Sequence, residues 1–292
     1  MKKNFWKLFS FWKKEEKKEE KKEEKEVDYF AKYEGLEGDN NPRLVSICAD
    51  YMASLCKVPV YDGSDMNLLL RELPDLKLDE NYVLDNYNPH PGPHGPIGQN
   101  LDLYVRPKSV EKPRDIDFGM SRTEYVYEKM LKNEPKMLKA RLEELHSQMK
   151  PLPEREDPFK HITLPFTEEA VWQAYLLRQA RHRIGMYWHG LYAERFFING
   201  MEDIDGLAPE FSRSENLERF KVEAKASWSE TMRPMVILDG DKAYISHYWF
   251  SLWGGLSQVK CLVSYDPCSH TVTGFRIKVM PPVVPYVDVL FF

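Results

Sequence analysis

Apolar side chains recur at three- and four-residue spacing over Leu44, Ile47, Cys48, Tyr51, Met52, Leu55 and Cys56. That spacing puts them on one stripe of an α-helix. Asn41 and Pro42 precede it as an N-cap and a first-turn proline. Residues 58–118 are rich in Pro, Gly, Asp and Asn and read as loop with short strands. Leu101, Leu103 and Val105 alternate like one of these strands. Ser121 and Glu124 form a capping box for a helix to about Lys132, and a second helix runs from Pro135 to Lys150. Thr167 caps a third helical region, with Phe166 and Val171 at hydrophobic-staple positions. Helical spacing then continues to Ile198, where Asn199 and Gly200 end it. Thirty residues of straight helix would span about 45 Å, so a break near Gly185 is expected.

From Phe220 the period changes to two. Val222, Ala224, Ala226 and Trp228 read as one strand. Met235 to Leu238 and Ala243 to Leu252 flank Asp239-Gly240, a hairpin signal. Gly254-Gly255 and Asp266-Pro267 turn the chain into two more strands. The C-terminal VVPYVDVLFF reads as a final edge strand or as a segment that joins a partner's sheet. The fold class is α+β: a helical, loop-rich first half, then helices packed on a four- to five-stranded antiparallel meander. Residues 27–150 and 159–292 are the expected domains, divided at the PLPEREDP stretch of 151–158, although 27–292 also reads as one domain.

The first 26 residues break this pattern. Phe5, Leu8, Phe9 and Trp12 form one helical face, Lys3, Lys7, Ser10 and Lys14 the opposite one, and Trp6 and Phe11 widen the apolar side. This is the pattern of an interfacial helix. The following EEKKEEKKEEKE places like charges at every i,i+4 pair except Lys22–Glu26, which weakens a helix. The spacer is therefore expected to be frayed-helical or disordered. An anionic membrane surface, a protein partner, or an inert or self-docked tail would each account for the head. No run approaches 18 apolar residues, and the head lacks the layout of a secretory signal.

Charge sharpens this reading. The chain has 292 residues and a net charge of −5, but residues 1–26 hold ten Lys and seven Glu. Residues 27–292 therefore carry 31 basic and 39 acidic side chains, a balance of −8. An acidic body does not suit nucleic acid, which needs a basic face. It leaves open a basic protein partner or a small molecule. Cys48, Cys56, Cys261 and Cys268 form no CxxC pair, and buried free thiols in a reducing compartment are expected.

The chain contains no Walker A loop, GxGxxG, GxSxG, HExxH or EF-hand spacing. No metal or cofactor is expected. His90 and His94 sit in a proline-rich loop whose extended path separates them by about 12 Å. His182 and His189 share a helix face yet lie about 10 Å apart along the axis. With neighbouring arginines they would line a polar cleft, or else form a solvated face around core aromatics. His247, in YISHYWFSLW, is either a general base in a pocket or a hydrogen-bonded core histidine. Glu202, Asp203 and Asp205 contact a basic partner or are simply solvated.

Two functional expectations follow. The first is a non-enzymatic binding or accessory protein, cytoplasmic, its acidic body held peripherally at the inner membrane by the head. The alternative is an enzyme or small-molecule binding module with a pocket between the 168–198 helices and the C-terminal sheet. In the enzymatic case His247 would act with His189 or an acidic neighbour, with His182 a further candidate.

Overall fold

Asn41 opens the first long helix, α1 (Pro42–Leu55): its side-chain oxygen accepts the Arg43 N–H at 3.1 Å, and proline holds the first helical position. The computed structural model describes residues 29–36, 41–55, 65–87, 102–111, 131, 133–148, 156–180, 194–209 and 214–287. Contacts divide the chain into residues 1–36 and 37–292. In the first unit, Ala31–Tyr33 forms a single 3₁₀ turn. All that follows concerns the second.

After α1 come a short helix α2 (Leu68–Arg71) and strands β1 (Lys77–Leu78), β2 (Tyr82–Tyr87) and β3 (Asp102–Pro107). Next are helix α3 (Pro135–Gln148), strand β4 (Ile162–Thr163) and helix α4 (Glu168–Gln179). Strand β5 (Phe196–Ile198) leads to helices α5 (Met201–Asp205) and α6 (Ser214–Ser227). The chain closes with β6 (Met235–Asp239), β7 (Lys242–Ser251), β8 (Gly255–Asp266) and β9 (Thr271–Val284). The fold is mixed α+β. Strands β6 to β9 form the expected antiparallel meander of four, and three short strands enlarge the sheet to seven in the order β1-β4-β9-β8-β7-β5, with β6 also on β7. β2 and β3 pair separately as a two-stranded ribbon.

Two sequence expectations are corrected. Helix α4 stops at Gln179, and Phe196–Ile198 is a strand on β7 rather than the end of a long helix. Consecutive aromatics at 196 and 197 supply both faces of that strand, which helical spacing cannot distinguish over three residues. Residues 214–227 form a helix, not a strand. Leu217, Phe220 and Ala224, at helical spacing, are buried, whereas Val222 is 67% exposed. The alternation at 222–228 lost to a segment rich in Glu, Lys and Ala, all good helix formers. The head (1–14), the spacer, His90, His94 and the 121–132 helix lie outside the described residues.

The sheet is covered on both faces, a layered arrangement that gives each apolar stripe a partner. α4 and α1 share one core with Ala243, Ile245, Cys261 and Val263 of the sheet. That core also takes Leu84 and Val105 from the ribbon, so elements before and after residues 151–158 contribute to it. The opposite face carries a second cluster, in which Leu217, Phe220 and Ala224 of α6 meet Phe250, Leu256 and Val284. Two polar links fix α1 to α4. The Trp172 indole N–H donates to the Leu44 carbonyl at 2.9 Å, and the Asn41 amide donates to Glu168 and Glu169 at 3.1 and 3.2 Å.

Candidate functional site

Alternation along β7 places Ile245, His247 and Trp249 on the α4 side of the sheet, and His247 sits 1% exposed beneath that helix. Its ring is enclosed by those of Phe197, Tyr175, Trp172 and Trp249, with centroids 4.9, 5.2, 5.6 and 5.6 Å away. Both nitrogens are engaged: Nε2 lies 2.7 Å from the Tyr175 hydroxyl and Nδ1 lies 3.3 Å from the Tyr248 carbonyl. A carbonyl only accepts, so the network assigns the proton to Nδ1 and leaves Nε2 to accept from Tyr175. Burial pulls the imidazole pKa down to about 3, and the positive charge of Arg195 adds to the effect. Burial likewise keeps the Tyr175 phenol protonated, far above its ordinary range. His247 is thus a neutral, doubly hydrogen-bonded residue with no open side. Arg195 stacks over the far ring, Trp249, with its guanidinium carbon 4.0 Å from the centroid. His182 and His189 fall outside the described residues.

Chemistry accessible to solvent lies one strand further out. Among the described residues β5 pairs with β7 alone, which leaves its other edge open. An open cleft of about 240 Å³ lies there, lined by Met52 of α1, Phe196 and Phe197 of β5, and Glu202, Asp203, Gly206 and Leu207 around α5. Neighbouring strand residues point to opposite faces. A cleft that touches both Phe196 and Phe197 therefore runs across the strand edge, between the helical layers.

Local sequence builds its acidic side. Gly200 is the N-cap of α5, and Asp203 is the third helical residue. The Asp203 carboxylate reaches back past the N-cap to accept the Asn199 N–H at 2.7 Å. The bond resembles the returning half of a capping box, shifted one residue outward. Burial nevertheless raises the Asp203 pKa, and the adjacent Glu202 charge adds to the rise. Glu202 itself is exposed and its carboxylate makes no hydrogen bond. Its field reaches Arg233, whose guanidinium is held by Glu230. Asp205 turns to Lys225 of α6, 2.6 Å away. One polar atom nearby lacks a partner: Oδ1 of Asn199, on a side chain 95% buried.

The acidic run 202–205 was evident in the sequence. The apolar floor was not, because it joins α1, β5 and the loop after α5, which only the tertiary fold brings together. Among the described residues no group of three or more His, Cys, Asp or Glu has the arrangement to hold a metal ion, and no helix is long and apolar enough to cross a membrane. No family model, curated protein or solved structure matches the chain.

Proposed function

We propose that this chain is a non-enzymatic binding or accessory protein whose acidic body engages a basic protein partner. In the same reading the N-terminal head rests on the anionic cytoplasmic surface of the inner membrane and holds the body there. The observation that carries the partner reading is the cleft at the β5 edge, where Glu202 and Asp203 border an apolar floor of Met52, Phe196, Phe197 and Leu207. Its volume of about 240 Å³ falls below the roughly 300–1,000 Å³ of sites that enclose a small-molecule ligand. That size favours a contact made by a side chain of a larger molecule. The engaged, enclosed His247 supports the choice of binding over acid–base chemistry, since a general base must reach the proton it takes.

A zero-length carbodiimide, which joins carboxylates to amines in direct contact, tests the reading in cells that express the full chain. The expected products link Glu202 or Asp203 to lysines of one partner. Cross-links spread over the acidic surface with none at these two residues would contradict it. Flotation with anionic vesicles tests the head separately: the full chain should float and a chain beginning at Val27 should stay behind.

A further inference from the structure

We propose that the cleft receives a single lysine side chain, its stem against Met52, Phe196, Phe197 and Leu207 and its ammonium between Glu202 and Asp203. This rests on the binding-protein reading above and names the chemistry of its contact. Three features select the occupant.

The first is the pairing of an apolar floor with a charged rim. Lysine presents both halves of that complement, burying its methylenes while its head stays with charge. A purely apolar residue would leave Glu202 and Asp203 facing carbon, and an anion would meet two carboxylates.

The second feature favours an ammonium over a guanidinium. Arginine binds carboxylates through two parallel bonds from a planar fork. Asp203 Oδ2 already accepts the Asn199 N–H, so it does not offer both oxygens freely to such a fork. An ammonium is a compact charge with three donors and no planar demand.

The third feature is the count of acceptors. Glu202 has a carboxylate without a hydrogen bond, and Asp203 keeps lone pairs beyond the one its cap uses, so the rim offers one ammonium several open acceptors. Arg233 is the nearby cation whose field opposes the site, and its own carboxylate, Glu230, offsets that charge.

The test uses the full chain labelled with ¹³C at the methionine methyls and three isosteric probes: n-pentylammonium, pentan-1-ol and pentanoate. The Met52 methyl, identified from its loss in M52L, reports on the floor. Pentylammonium should shift it saturably with a Kd on the order of 10 mM, as a ligand of six heavy atoms allows. Pentanol should bind about fivefold more weakly and pentanoate should not register. E202Q, which changes an exposed carboxylate without a hydrogen-bond partner, should weaken pentylammonium about threefold to fivefold and leave pentanol unchanged. D203N, which keeps an acceptor for the cap, provides a second variant with the same expectation. Equal shifts from pentylammonium and pentanol would reduce the site to an apolar dent and overturn the proposal. So would an unmoved Met52 methyl. If that methyl is unmoved while carbodiimide products persist at Glu202 or Asp203, the lysine assignment fails and partner binding stands. If both are lost, both readings fail.

Discussion

At the scale of single residues, a buried histidine and a half-buried aspartate make predictions of opposite sign. His247 has its folded-state pKa depressed to about 3, chiefly by burial. Below about pH 6.5 the unfolded chain binds a proton that the folded chain refuses, so stability is present above that pH and lost as pH falls toward 3. The loss approaches about 1.4 kcal/mol per pH unit. Urea midpoints measured from pH 7 to pH 4 should fall less steeply for His247→Gln than for the wild type, and parallel curves would contradict the assignment. Asp203 is the reverse case, since burial raises its pKa. Its ionisation opposes folding, and that opposition is relieved as pH drops through the folded value. Asp203→Asn should therefore melt no lower than the wild type at pH 7, as thermal unfolding will show. Tyr175→Phe removes the only donor recorded for His247 Nε2. Leaving that acceptor unpaired in the core should cost about 1–3 kcal/mol in denaturant unfolding.

At the scale of elements, local signals succeeded where they were chemical and failed where only periodicity spoke. Thr167 caps α4 as its sequence position implied, accepting the Ala170 N–H at 3.2 Å, and Thr167→Ala should lower stability by about 1 kcal/mol. Phe166, read as half of a hydrophobic staple, packs against the core that holds Val171 and stacks on Tyr265 with centroids 4.5 Å apart. The β6–β7 hairpin was legible from Asp239-Gly240, although Asp239 pairs with Lys242 and the two loop residues are Gly240 and Asp241. Gly240 alone of these has positive φ, 64°, which fits glycine at the first central position of a type II′ turn. Gly255 is the more demanding position: its φ is 79°, and a Cβ there would overlap the Val284 carbonyl oxygen. Gly255→Ala should destabilise strongly through the β8–β9 pairing, which unfolding by urea will reveal. Short elements were the illegible ones. β1, β4 and β5 have two or three residues each, too few for any period to show; β4 and β5 pair with β9 and β7 of the meander, and β1 pairs with β4. The candidate site inherits this limit. Glu202 and Asp203 could be singled out in the sequence, whereas Met52 and Leu207 become neighbours only once β5 is placed on β7.

At the scale of the molecule, charge connects these parts. Residues 27–292 carry a balance of −8 while residues 1–26 carry a net +3. Opposite charges at the two ends of one chain let an anionic surface and a basic partner be engaged by different regions, without competition for the same residues. In the proposed reading the acidic body attracts its partner through solvent, where salt screens charge over about 10 Å at 0.1 M and about 3 Å at 1 M. The most direct test of the central claim is the yield of Glu202 and Asp203 cross-links to partner lysines as salt is raised from 0.05 M to 1 M. The account predicts a steep fall for the wild type, and a low, salt-independent total yield of partner cross-links for the E202Q/D203N double variant. A yield that is flat in salt, or equal in the two proteins, would contradict it.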